Sequence, residues 1–403
     1  MRILLSISNL WTGGAQTLLV SLAESLTLKH SVYIYEYELS DRRAENTVIN
    51  RIPSGVKIIY LPNILARTLE KVDTVLFRFG FQLSLLEFVK RLHFRKAVAK
   101  YKIDIINTHL YHSDRFVATC LRNSVLPIVL TDHGDYRYIV ERGIASFDDI
   151  LMIIHRVDAI IYPSASNAEA LSKYTVGSKA IKKTIYHGFS FPSQQKHPES
   201  ARQKLRIPSQ AFVFGMVARG ICEKGWAEAI QAFGLVRSWT QTELYLILVG
   251  ESDYLHSLKQ ELNAVQKSVI HFVGHSSEPT YWIEAFDIAL LPTYFPGESL
   301  PFSVIEYLSS GKPVVATSVG GIQEMIDVNK DQQAGILIKL DRENKVDVQL
   351  LAEAMLRYVN DARLLTEHSR LAKQASGKFK LEICLRRYEG LFVEVLRKNL
   401  YQS

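Results

Sequence analysis

The 403-residue chain reads as an α/β protein of two doubly wound, Rossmann-like domains. Three observations predict this. Short, continuous Val/Ile/Leu runs recur in two series, helix-length periodic segments separate them, and a polar stretch divides one series from the other. The first series is ILLSI (3–7), SVYIYEY (31–37), IDIIN (103–107), PIVLT (127–131) and DAIIY (158–162). The second is FVFGMV (212–217), LYLILVG (244–250), VIHFVG (269–274), IALLP (288–292) and PVVAT (313–317). Continuous apolar runs suit parallel sheets covered on both faces. The divide falls at YHGFSFPSQQKHPES (186–200), where Pro, Ser, Gln and His replace any helical period. The expected domains are 1–187 and 188–378. A final amphipathic helix over 379–403 carries Leu381, Cys384, Leu385, Tyr388, Leu391, Phe392 and Val395 on one stripe.

Apolar residues make up 47% of the chain, enough for two cores and against disorder. The net charge of +7 is uneven: residues 1–187 hold 24 Lys and Arg against 17 Asp and Glu, and residues 188–403 hold 24 against 24. The first half is therefore the one expected to meet an anionic partner. The three cysteines lie far apart with no CxxC spacing. Neither zinc nor a disulfide framework is indicated, and a reducing, cytoplasmic setting is expected. RILLSI after Met1 reads as a strand rather than a signal peptide, and no apolar run is long enough for a transmembrane helix.

In open α/β sheets ligands bind beyond the carboxyl ends of strands, so residues just after each run matter most. After IALLP comes TYFPGESLPFSVIEYLSSGKP. A helix is expected from about Leu300 to Ser309, with Ser299 as N-cap, Pro301 in the first turn, and Gly311 and Pro313 beyond the end. Its start can hold phosphate, and Glu306 lies ~9 Å further along the axis. Glu298 and Glu306 would then serve opposite ends of a nucleotide diphosphate sugar.

With its E-x7-E spacing, strand–turn–helix setting and downstream SSGKPVVATSVGG, this segment resembles the donor site of retaining GT-B glycosyltransferases of family 4. The resemblance spans essentially the whole chain and is strongest over 212–326. It implies two facing domains around a central cleft, with the final helix crossing back to the first. In FGMVARGICEKGW, Arg219 and Lys224 match the cations that hold the donor diphosphate. Two cations on one pyrophosphate offset its bound charge and the charge growing on the leaving phosphate. Val273, Gly274 and His275 match the loop gripping the nucleobase through backbone groups, a mode that leaves uridine and guanosine undistinguished. Gly13 and Gly14 match the glycine loop near the transferred sugar. His133 matches the histidine contacting that sugar; His109 and His112, also after a strand, are candidates for the acceptor side. Ser299 and Leu300 complete the donor set, although family members often have Gly where Ser299 stands.

No D-x-D triplet occurs, so Arg219 and Lys224 are expected to replace a metal. The implied activity is a retaining, metal-independent transfer of a hexose-type sugar, without cofactor. The donor is a UDP- or GDP-sugar and the acceptor a glycan or lipid-linked molecule, in bacterial surface polysaccharide synthesis. Two alternatives stand: an epimerase of the same architecture, and a non-catalytic partner subunit that binds nucleotide sugar. Nucleic acid is not an expected partner. Phe81, Leu85, Phe88 and Leu92 in 79–102 share a helical face among Lys90, Arg91, Arg95, Lys96, Lys100 and Lys102. Such a helix can lie on an anionic membrane surface or simply cover a core.

Overall fold

A computed structural model describes residues 1–11, 13–38, 47–81, 84–190 and 200–400. The chain divides into two compact units, Met1–Gly188 with Leu381–Ser403, and Phe189–Lys380. The central part of the polar stretch 186–200 lies outside the described residues.

The first unit is built on seven parallel strands: β1 (Arg2–Ile7), β2 (Ser31–Glu36), β3 (Lys57–Ile59), β4 (Ile105–His109), β5 (Ile128–Thr131), β6 (Ala159–Tyr162) and β7 (Ile181–Thr184). Their order is β3-β2-β1-β4-β5-β6-β7. Ile3, Leu4, Leu5 and Ile7 of β1 are wholly buried, as covering on both faces requires. β3 and β7 are edge strands, absent from the sequence reading because KII is short and IKKT is mostly polar. The last helix, Leu381–Leu400, belongs to this unit. It buries Cys384, Tyr388, Leu391, Phe392 and Val395, and Glu389 meets Lys29 and His30 at 3.3 and 3.0 Å.

The second unit holds β8 (Phe212–Val217), β9 (Leu244–Val249), β10 (Ile270–Gly274), β11 (Ile288–Leu291) and β12 (Val314–Thr317). A small hairpin follows, β13 (Asp327–Asn329) with β14 (Gln332–Gln333), and then β15 (Gly335–Ile338). The main sheet runs β10-β9-β8-β11-β12-β15, all parallel. Each unit thus reverses its strand order once, between β1 and β4 and between β8 and β11. Such switch points open a crevice at the carboxyl ends of the strands.

Two local expectations need correction. The segment 79–102 is not one helix. Helices Asn63–Arg78 and Leu85–Lys100 flank a turn in which Gly80 has φ +87°, so Phe81 lies outside both; residues 82–83 are not among those described. Ser84 starts the second helix, its hydroxyl accepting from the Glu87 N–H at 3.2 Å, while Asp73 accepts from the Ser84 hydroxyl and the Leu85 and Leu86 N–H groups. Lys90 is buried, 4.4 Å over the Tyr37 ring and 3.5 Å from Glu87, so it is not part of a solvated basic face. The helix carrying Glu306 is Phe302–Ser309, with Pro301 and not Ser299 at its N-cap. Pro301 has ψ 122°, extended rather than helical, and a residue preceding proline is itself pushed from the helical region. Leu300 and Ser299 are thereby kept in the loop.

Candidate active site

In the second unit the switch point gathers the charged candidates. After β8 the chain passes Arg219 and makes a short turn of helix at Cys222–Lys224 before the long helix Trp226–Trp239. Gly225 joins the two at φ +83°, and a Cβ there would lie 2.0 Å from the Pro292 carbonyl oxygen. Only glycine meets both conditions, and its place holds Lys224 against the loop after β11. Three bonds brace that contact: Trp226 Nε1 donates to the Arg219 carbonyl (3.0 Å), and Tyr294 N–H (2.8 Å) and the Thr293 hydroxyl (3.2 Å) donate to that of Glu223.

Lys224 Nζ donates to Glu298 Oε2 at 2.5 Å, and the two side chains are only 8% and 6% exposed. Phe295 adjoins both cations, with Lys224 Nζ 5.2 Å and the Arg219 guanidinium 5.3 Å from its ring centre. Arg219 itself is exposed. The sequence reading missed Phe295; only its place in the loop after β11 could have flagged it.

Behind Glu298, Gly321 N–H donates to the Ser299 carbonyl (2.8 Å). A Cβ on Gly320, at φ +58°, would meet the Glu298 carbonyl oxygen at 2.2 Å. The Gly-Gly pair therefore lets the loop after β12 support the loop bearing Glu298. Ser299 and Leu300 are both buried. Glu306 lies on the second turn of the helix Phe302–Ser309, and burial pushes its carboxyl up to about 7. The adjacent Tyr307 fixes that helix to β8, its hydroxyl accepting from Val217 N–H (2.6 Å) and donating to the Val217 carbonyl (3.0 Å). At the end of β10 the register shifts between Phe272 and Gly274. Val273 and Gly274 are half-buried and His275 exposed, its N–H 3.3 Å from a Glu251 carboxylate oxygen.

The first unit brings together different groups. Gly13 precedes the helix Gly14–Leu26, and its carbonyl accepts from the N–H and hydroxyl of Thr17, both at 2.9 Å. His109 ends β4 and His133 follows β5; His109 Nδ1 lies 3.0 Å from His133 Nε2. His187, after β7, places its ring 5.3 Å from that of His133. Burial and the like charge of its neighbours hold His133 well below its ordinary value, and His109 is lowered to about 3 and His187 to about 4. The His109 side chain is fully buried, so it supports His133 rather than presenting a surface to an acceptor. His112 is exposed on the helix Tyr111–Cys120, against Tyr111, apart from the His109–His133 contact. Asp132 shapes the turn, accepting from Gly134 N–H (2.7 Å) and the Asn167 amide (2.9 Å). Among the described residues, no group of three or more His, Cys, Asp or Glu could hold a metal ion, and no helix is long and apolar enough to cross a membrane.

Comparison with known proteins adds the family. The model "Glycosyl transferases group 1" matches residues 198–377, and "Glycosyltransferase Family 4" matches residues 12–189. An exopolysaccharide phosphotransferase of Streptomyces coelicolor is 28% identical over 212 residues, 50% of this chain and 20% of that protein. The capsular polysaccharide biosynthesis glycosyltransferase CapM of Staphylococcus aureus is 25% identical over 226 residues, 53% of this chain and 54% of that protein. These alignments thus span no more than about half of either relative's length. The crystal structure of Anabaena HepE, in complex with UDP, shares the fold over 98% of this chain and 100% of that one, with TM-score 0.74 and 20% identity. With its two switch-point sheets and both family models in register with its two units, the chain belongs to the family 4 glycosyltransferases of GT-B architecture.

Proposed function

We propose that the protein is a retaining glycosyltransferase moving a hexose-type sugar from a UDP- or GDP-sugar to a glycan or lipid-linked acceptor. A role in bacterial surface polysaccharide synthesis accords with what the relatives' names say of those proteins, among them CapM. One observation carries the reading: a buried lysine–glutamate pair at a switch point, with Arg219 and the Glu306 helix beside it. Burying charge is costly unless it is compensated. Lys224 and Glu298 compensate each other in the unliganded protein. A sugar nucleotide offers each a better-matched partner, the diphosphate for Lys224 and sugar hydroxyls for Glu298. Arg219 adds a second cation to the diphosphate and to the charge that grows on it as the glycosidic bond breaks. The leaving phosphate oxygen takes the acceptor proton on the face where attack occurs, which retains configuration without an enzymic nucleophile. Glu306 accepts from the ribose hydroxyls.

The same reading assigns the first unit to the acceptor. Its helices Asn63–Arg78 and Leu85–Lys100 leave Ile64, Val75, Phe77, Leu85, Phe88 and Leu92 exposed, among exposed Arg67, Lys71, Arg78, Arg91, Lys96 and Lys100. Apolar side chains ringed by cations fit an anionic lipid surface. The test is nucleoside diphosphate release from a panel of UDP- and GDP-hexoses, with product anomers read by NMR. Turnover with retention in excess EDTA is expected. Inversion, a strict Mn²⁺ or Mg²⁺ requirement, or release of an epimerised free sugar without acceptor would overturn the corresponding part.

A further inference from the structure

We propose that Asn107 and His109 are positioning residues that fix which nitrogen of His133 carries its proton, leaving His133 able to recognise a hydroxyl and unable to recognise a phosphate oxygen. The inference rests on the reading of His133 as a sugar-facing residue.

Asn107 lies in β4 with its side chain wholly buried. Its Nδ2 donates to the Val129 carbonyl and to the Thr131 hydroxyl, both at 2.9 Å. A carbonyl oxygen only accepts, so the amide nitrogen must face Val129. The Asn107 oxygen then faces the other way, 3.0 Å from His109 Nε2. An amide oxygen also only accepts, so the proton of His109 is on Nε2. A neutral imidazole has one N–H, so His109 Nδ1 is a lone pair. That lone pair is 3.0 Å from His133 Nε2, which must therefore be the N–H of His133. His109 and His187 are buried and the His133 ring lies against both; burial disfavours the charged form and a like ring alongside disfavours it further, so the neutral forms follow.

His133 is left with Nδ1 unprotonated, and among the described residues its side-chain hydrogen bond is made by Nε2. A lone pair accepts from a sugar hydroxyl and repels a phosphate oxygen. The backbone supports the arrangement. Leu110, directly after His109, adopts φ +70°, a conformation costly for a branched side chain. It turns the chain from β4 into the helix Tyr111–Cys120 while His109 stays under His133. Asp132 and Gly134 hold the turn that bears His133 from the other side.

The test is ¹⁵N-imidazole NMR on the full chain at neutral pH, with His109→Asn and His133→Gln assigning the signals. His109 and His133 are both expected neutral and protonated on Nε2. A His133 proton on Nδ1, or a doubly protonated ring, would overturn the proposal. Kinetics use whichever UDP- or GDP-hexose of the panel gives the fastest diphosphate release. His109→Leu removes the acceptor and is expected to lower kcat about tenfold, with donor KM changed less than twofold and the His133 tautomer mixed. His109→Asn restores an amide oxygen near the Nδ1 position and is expected to recover most of kcat and a single tautomer. Equal losses in both variants with the tautomer unchanged would mean a merely structural role and sink the proposal. Normal turnover by His133→Ala would instead remove the functional reading on which it rests, whatever the spectrum shows.

Discussion

The strand ends of the two units carry opposite kinds of chemistry. Beyond β8 and β11, Lys224 and Glu298 stay paired in a nearly dry setting, with Arg219 over the same Phe295 ring as Lys224 and Glu306 on the helix that follows the loop. Beyond β4 and β5, His133 and His109 are linked by a hydrogen bond that continues to the buried Asn107 amide. The basic excess of the first half is therefore not at its strand ends but on the exposed helices between β3 and β4. Under the proposed reading, the second unit's crevice takes a diphosphate, which calls for fixed charge that the protein compensates while no ligand is bound. The first unit's crevice would take hydroxyls, for which oriented lone pairs and protons suffice. The overall charge of the first half does not report on either crevice.

The largest expected effect comes from breaking the ion pair on one side. Lys224→Ala leaves Glu298 buried without its cation, which typically costs about 3–5 kcal/mol of stability, and turnover should fall by roughly 10²-fold or more. The double variant Lys224→Ala/Glu298→Ala should regain part of that stability in urea unfolding but none of the turnover. Arg219→Ala, removing an exposed cation, should match the turnover loss with little change in the unfolding midpoint. Near-normal turnover in both single variants would contradict the diphosphate assignment.

Glu306 gives the next effect and a pH signature. Its folded carboxyl keeps a proton up to about pH 7, against an ordinary value of 4.5. Between these values the folded chain binds more protons than the unfolded one, so this group's contribution to stability falls as pH rises through the window. Glu306→Gln, which cannot ionise, should therefore stabilise the unliganded protein at pH 8 by on the order of 2 kcal/mol and leave it little changed at pH 5. Thermal unfolding at the two pH values checks this. An equal shift at both would mean that the carboxyl is ionised throughout.

Smaller still is the surface term. Replacing Arg91, Lys96 and Lys100 with Gln should weaken binding to phosphatidylserine-containing vesicles by about 1 kcal/mol per charge, and added salt should weaken the unaltered protein likewise. Lys90 and Arg95 are left in place, because Lys90 is buried and Arg95 Nε donates to the Cys120 carbonyl at 2.8 Å. No vesicle binding by the unaltered protein would leave the apolar side chains of these helices without this explanation.

Legibility followed the same division. The central strands of both sheets were readable because burial on two faces demands unbroken apolar runs. The edge strands β3 and β7 were not, since KII is short and IKKT mostly polar; the edge strand β10 was legible as VIHFVG, and the four-residue GILI of β15 carries no period that marks it. The turn before Leu85–Lys100 is marked in the sequence by Ser84 followed by Glu87, a helix-start pattern. Arg219, Lys224, Glu298 and Glu306 were legible as a spaced motif. Phe295 and Asn107 were not, because an aromatic in a loop and an asparagine ending an apolar run are each common, and only the third dimension shows what they touch.

The proposed roles of the two acids differ, Glu306 serving the nucleotide and Glu298 the sugar. Calorimetry with UDP and with GDP on Glu306→Gln and Glu298→Gln separates them. Glu306→Gln should weaken the better-bound nucleotide by about 1–2 kcal/mol, the worth of hydrogen bonds to a charged acceptor, and abolish the tightening otherwise expected as pH rises through 7. Glu298→Gln should bind that nucleotide at least as tightly as the unaltered protein, because Lys224 is no longer shared with a carboxylate. Weakening by Glu298→Gln equal to that by Glu306→Gln would rule that division out.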